Sequence, residues 1–84
     1  MTRYTVVWHQ GAHDELARLW LDAPDRDAVR QAADALDRDL GRDAAGKGTP
    51  VAEDLRRLIV PPLRVLFSVS EADRMVRVLG VAPW

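Results

Sequence analysis

Cysteine is absent from the chain, which excludes disulfides, thiolate catalysis and cysteine-ligated zinc. Aromatic residues are also scarce, at 6%, and Tyr4 is the single tyrosine. No apolar run approaches the roughly 18 residues of a membrane-spanning helix. The opening residues 1–9 lack an apolar stretch followed by a small-residue cleavage site. We therefore expect a cytoplasmic protein without a membrane partner.

The length of 84 residues predicts one domain over residues 1–84. The composition, with 48% hydrophobic and 30% charged residues, is typical of a folded protein. The net charge of -1 gives no general attraction to nucleic acid. The charges are nevertheless unevenly placed, because residues 55–84 hold five arginines against two carboxylates. Arginine presents a planar fork that suits phosphate or carboxylate, so this segment hints at an anionic partner.

The first half of the chain has the pattern of one strand followed by two helices. Residues 3–9 are rich in β-branched and aromatic side chains, which predicts a strand. Apolar residues then recur at steps of three and four over 12–23 and again over 26–42, as on one face of a helix. Pro24 ends the first helix and Asp25 is a good N-cap for the second. The two form a helical hairpin.

The second half reads as β structure after an exposed connection at 43–54. Strands are predicted over 55–60, 63–69 and 74–81, with a four-residue turn at 70–73. The predicted order is β-α-α-β-β-β. It indicates an α+β two-layer fold in which the helical hairpin packs on one face of an antiparallel sheet.

The predicted register brings three arginines to one exposed sheet face, because side chains alternate along a strand. Pairing across the proline turn puts Ile59 opposite Arg64 and Arg57 on the same face, and a turn at 70–73 puts Leu66 opposite Arg77. Such clustered guanidiniums attract an anionic ligand or an acidic partner. The alternative is an ordinary solvated face, neutralised by carboxylates of the 43–54 connection or of the C-terminus.

The sequence resembles the RelE/ParE superfamily of toxins from type II toxin–antitoxin systems. The resemblance covers nearly the whole chain and depends on its size, its element order and three stretches: Val6–Leu16, Arg56–Phe67 and Arg77–Val81. It implies a cognate antitoxin whose acidic or amphipathic segment wraps the toxin. It further implies growth inhibition, through mRNA on the ribosome for RelE-like members or through DNA gyrase for ParE-like members.

For a RelE-like member, the resemblance implies metal-independent mRNA cleavage through attack of the ribose 2′-hydroxyl, with no cofactor. Arg64 and Arg57 match the family's catalytic positions on the second and third strands. The residues expected to contact RNA, phosphate or antitoxin are Arg77, Arg56, Lys47 and Trp84.

One departure from the family keeps other functions open. Cleaving members usually offer a tyrosine, histidine, glutamate or further basic residue near the C-terminus, whereas residues 81–84 here read Val-Ala-Pro-Trp. The alternatives are a gyrase inhibitor that acts by binding and a member that binds its partner without toxicity. His9 and His13 lack an obvious third ligand, so no metal site is expected.

Overall fold

The computed structural model describes residues 3–84, which form two helices and a five-stranded sheet. The elements, in chain order, are β1 (Thr5–Trp8), α1 (Gln10–Asp22), α2 (Arg26–Asp43), β2 (Thr49–Ala52), β3 (Leu55–Val60), β4 (Leu63–Ser70) and β5 (Met75–Pro83). The strand order is β1-β5-β4-β3-β2. Within residues 3–84, neither helix combines the length and the apolar character needed to cross a membrane.

The predicted α+β fold is confirmed, and the sheet differs from the prediction in two respects. The connection predicted over 43–54 contains the short strand β2, in which Thr49 pairs with Arg57 and Pro50 with Arg56. A proline fits there because β2 is an edge strand. The sheet is also mixed rather than antiparallel, since β1 pairs in parallel with β5. A parallel pair needs a long connection, and the chain between β1 and β5 runs through the helical hairpin and then through β2, β3 and β4.

The core lies between the helical hairpin and one sheet face. Helix α2 contributes the fully buried Leu36 and Leu40, and smaller residues of both helices are buried with them. The sheet contributes the alternating, inward-facing residues of the central strands: Val65, Phe67, Val76 and Val78. The loop between the helices is fixed by the predicted cap, because the Asp25 carboxylate accepts a hydrogen bond of 3.1 Å from the backbone N–H of Ala28.

The register between β4 and β5 corrects the prediction. Ser68, not Leu66, lies opposite Arg77, because Ser70 still pairs with Met75 and the turn sits one residue later than expected. A β-bulge then shifts the pairing between Phe67 and Leu66, so that β5 carries one extra residue. Before the bulge the even-numbered residues of β5 face the core, and after it the odd-numbered residues do.

The bulge decides which residues of β5 enter the core. Val76 and Val78 point inward before it, whereas Val81 is the buried residue after it. Gly80 pairs with the outward-facing Leu66 and so lies on the exposed face. The bulge therefore keeps an apolar side chain in the core and places a glycine on the surface.

Candidate functional site

Arg57 and Arg64 lie side by side on the exposed sheet face, as the sequence predicts. Arg57 pairs with Leu66 and Ile59 pairs with Arg64, so the two arginines are diagonal neighbours on β3 and β4. Diagonal neighbours in an antiparallel pair are about 7–8 Å apart. Both residues are exposed, because they stand on the face that the helices leave uncovered. Two guanidiniums thus reach the same patch of solvent.

A depression of about 370 Å³ opens beside the two arginines. We call it the arginine trough and define it by its lining residues: Arg57, Arg64, Val65, Leu66, Gly80, Val81 and Ala82. Arg64 and Leu66 stand on β4, and they pair with Ala82 and Gly80 of β5 respectively. The trough therefore has long side chains along β4 and a floor of nearly bare backbone along β5.

The charge of the trough is not neutralised within the described chain. Some exposed arginines form ion pairs, such as Arg30 with Asp27 and Arg74 with Glu71. Arg57 and Arg64, like Arg77, have no carboxylate within 4.0 Å among residues 3–84. The two like charges repel each other, and more strongly where the dielectric is lower. A bound anion would remove this repulsion and accept hydrogen bonds from both forks.

Arg77 shares the exposed face but stands outside the trough. It lies opposite Ser68 on β4 and beside Val7 on β1, in the direction away from Arg64. The corrected register therefore brings two arginines together and leaves the third further along the sheet.

Arg56 points the other way from its neighbour and supports the backbone. Its Nε donates to the carbonyl oxygen of Lys47 at 2.8 Å, and one terminal nitrogen donates to that of Gly48 at 3.2 Å. Lys47 thus touches Arg56 through its backbone, and neither residue lines the trough. These bonds hold the loop before β2 against β3.

Trp84 lies at a different surface. Its backbone N–H donates to the carbonyl oxygen of Pro62 at 2.9 Å, and its side chain is 63% exposed. It borders an apolar cleft of about 530 Å³ between the helical hairpin and the proline turn, with Leu19, Val29 and Pro61 also in the lining. Trp84 is absent from the lining of the trough.

The trough can hold and polarise an anion, but its lining offers no group for proton transfer. Its titratable members are the two arginines, which stay protonated. Tyr4 is engaged elsewhere: its hydroxyl donates to the Glu71 carboxylate at 2.6 Å, which raises the pKa of Tyr4. His9 and His13 are exposed at the start of α1, and no cluster of three metal-ligating side chains occurs within residues 3–84.

Sequence reasoning missed the floor of the trough. Gly80 and Ala82 have no chemistry of their own, and their outward orientation depends on a bulge that the residue pattern does not specify. One signal was present, because an isolated glycine inside a strand pattern marks a bulge or a close approach of a ligand.

The sequence matches no family model, and a search of curated proteins finds no similar sequence. Solved structures, in contrast, match along the whole chain. A chain of the RelBE2 toxin–antitoxin complex from Mycobacterium tuberculosis superposes with a TM-score of 0.83 at 20% identity, over 100% of this chain and 94% of that one. A chain of the archaeal RelE–RelB complex from Pyrococcus horikoshii gives 0.70 at 22% identity, over 99% and 96%.

A ParE-type system matches as well. A chain of the chromosomal ParDE toxin–antitoxin system from Pseudomonas aeruginosa superposes with a TM-score of 0.74 at 15% identity, over 96% of each chain. The protein therefore has the fold found in RelE and ParE toxin–antitoxin structures, and the resemblance read from the sequence is confirmed at the level of the fold.

Proposed function

We propose that the chain is the toxin of a type II toxin–antitoxin system, and that it inhibits translation as RelE-like toxins do, by cleaving mRNA on the ribosome. The observation that carries this proposal is the arginine trough, in which Arg57 and Arg64 present two guanidiniums without a carboxylate partner among residues 3–84. The fold supports it, since the matching structures come from toxin–antitoxin systems.

In this proposal the trough binds the scissile phosphodiester. The ribose 2′-hydroxyl attacks the adjacent phosphorus, the bond to the 5′-oxygen breaks, and the products are a 2′,3′-cyclic phosphate and a 5′-hydroxyl. The guanidiniums of Arg57 and Arg64 stabilise the charge that develops on the phosphoryl oxygens. The trough lining carries no acid or base, so the proton of the 2′-hydroxyl and the proton gained by the 5′-oxygen pass through water or the ribosome.

The same charges fit a cognate antitoxin. Two unneutralised arginines among Ile59, Leu66 and Leu79 form a surface that an acidic or amphipathic segment would cover. Contacts between exposed charges are screened by salt, so the complex should weaken as ionic strength rises. A complex insensitive to salt would argue against docking on this face.

One observation favours a second function, inhibition of DNA gyrase by binding. A binding inhibitor needs no acid or base, and the trough lining supplies neither. The match to a chain of a ParDE system is consistent with this alternative. The two functions differ in which macromolecular synthesis stops first.

The test is inducible expression of three variants in bacteria, with growth and pulse-labelled protein and DNA synthesis followed together. The three are the wild type, Arg57→Ala/Arg64→Ala, and the control Arg18→Ala/Arg30→Ala. The control removes two exposed helix arginines, whose surface ion pairs contribute little to stability. Primer extension on a translated message detects cleavage, and a supercoiling assay detects gyrase inhibition.

We expect protein synthesis to stop first with the wild type and the control, with cleaved message, and to continue with the trough variant. If DNA synthesis stops first and supercoiling is lost, the gyrase function holds instead. Normal growth with all three proteins would contradict both toxic functions and leave a partner-binding protein.

A further inference from the structure

Gly80 is a glycine that neither backbone conformation nor packing requires. Its φ lies outside the left-handed region, unlike that of Gly48. A Cβ built on Gly80 would meet no heavy atom within 4 Å, beyond its chain neighbours. An L-amino acid with a side chain therefore fits at this position of β5.

Gly80 directly follows the extra residue of the bulge, Leu79, but a bulge demands glycine only where the backbone is left-handed, and Gly80 is not. Glycine in a strand interior loses more conformational freedom on folding than any other residue and has no side chain to pack. A β-branched residue at position 80 would instead raise stability. The open space above Gly80 needs another explanation.

That space is the floor of the arginine trough. Two rows of residues cross β3, β4 and β5 there: Arg57–Leu66–Gly80 and Ile59–Arg64–Ala82. Each row has an arginine on β3 or β4 and ends on β5 in a residue with little or no side chain. A ligand whose phosphate meets the guanidiniums therefore has room for further atoms over Gly80 and Ala82.

We infer that Gly80 is a specificity-determining residue, whose missing side chain admits the ribose and base attached to a phosphate held by Arg57 and Arg64. This inference depends on the proposed action on RNA. A valine at position 80 would occupy the floor and exclude the nucleotide while leaving both arginines in place.

The experiment compares wild type with Gly80→Val, Gly80→Ala and Ser68→Val. Ser68 lies on the same exposed face, opposite Arg77 and outside the trough lining, so its substitution places the same valine side chain at a control position. Thermal denaturation gives Tm, induced expression gives growth inhibition, and fluorescence anisotropy gives the affinity for a short labelled 2′-O-methyl RNA, which cannot be cleaved. Arg57→Ala/Arg64→Ala is measured in parallel.

We expect Gly80→Val to raise Tm by about 2–8 °C and to lower RNA affinity and toxicity at least tenfold. Gly80→Ala should raise Tm and give an intermediate loss, and Ser68→Val should keep the affinity and toxicity of wild type. Gain of stability with loss of binding is a combination that a merely structural role for Gly80 would not produce.

Three results would overturn the inference. If Gly80→Val keeps the affinity and toxicity of wild type while Arg57→Ala/Arg64→Ala is inactive, the inference about Gly80 is refuted and the proposed function stands. A lower Tm for both Gly80 variants would show that position 80 does need glycine. A wild type that neither inhibits growth nor binds RNA would refute the proposed function and the inference together.

Discussion

Gly48 provides the sharpest test of how the structure holds Arg57 in place. Its φ of 74° lies in the left-handed region, and a Cβ built on it would stand 2.3 Å from the carbonyl oxygen of Arg57. This contact lies next to the pairing of Thr49 with Arg57. Gly48→Ala therefore introduces both an unfavourable backbone conformation and a steric overlap with β3.

The expected loss of stability follows from three contributions. An alanine in the left-handed region costs roughly 1–2 kcal/mol. Relieving an overlap with backbone atoms loosens the start of β2 against β3, and one or two weakened hydrogen bonds cost about 0.5–1.5 kcal/mol each. Alanine also lowers the conformational entropy of the unfolded chain, which raises the free energy of unfolding by about 0.4–1 kcal/mol. The net loss is about 2 kcal/mol, which lowers the Tm of a domain of this size by about 8–16 °C.

The assay is thermal denaturation followed by circular dichroism, with Gly11→Ala as the matched control. Gly11 lies in α1, and a Cβ there would meet nothing within 4 Å. Since alanine favours a helix over glycine, the control should have a Tm equal to or above that of wild type. A Gly48→Ala variant within about 3 °C of wild type would refute the reasoning, because the backbone contact would then be absent or easily relieved.

Two further predictions concern single hydrogen bonds. The hydrogen bond from Tyr4 to Glu71 raises the pKa of Tyr4 above its ordinary value of 10.0. Tyr4 is the single tyrosine of the sequence, so an absorbance titration should give a midpoint above 10.0, and Glu71→Gln should lower that midpoint toward 10.0. The folded state holds this proton more tightly than the unfolded state, so the free energy of unfolding should fall as the pH rises from 10.0 through the pKa of folded Tyr4. A titration midpoint of 10.0 in the wild type would contradict the hydrogen bond. Asp25→Ala removes the cap of α2 and should cost about 0.5–2 kcal/mol in thermal denaturation. Asp25→Asn keeps an acceptor oxygen and should retain most of the stability. Equal losses would show that the hydrogen bond to Ala28 is not the source of the stability, and no loss in either variant would show that the cap contributes nothing.

The sequence allowed the central strands and the arginine pair to be predicted because both depend on local patterns. Residues 63–69 are apolar at every second position, and the tight turn at Pro61 fixes the pairing of Ile59 with Arg64. Once that register is set, alternation alone places Arg57 and Arg64 on one face. The geometry of the pair thus follows from two short strands and one short turn.

The parts that escaped prediction depend on contacts between distant elements. The strand β2 has the composition of a loop and becomes a strand only because β3 offers an edge to pair with. The register of β5 after Val78 depends on a bulge that lets Val81 reach the core. The pairing of Arg77 depends instead on the turn, which sits one residue later than predicted, so Arg77 was placed two positions too close to the arginine pair.

Neighbouring arginines on β3 have different tasks because a strand turns successive side chains to opposite faces. The guanidinium of Arg56 is directed at the loop and donates to the carbonyl oxygens of Lys47 and Gly48, which fixes that loop against β3. Gly48 in turn contacts the backbone of Arg57, since no side chain separates them. The exposed charge of Arg57 therefore stands on a strand that is held from its edge by the residue before it. Since β3 is paired by β2 on one side and by β4 on the other, the place of Arg57 beside Arg64 is set by the backbone of three strands.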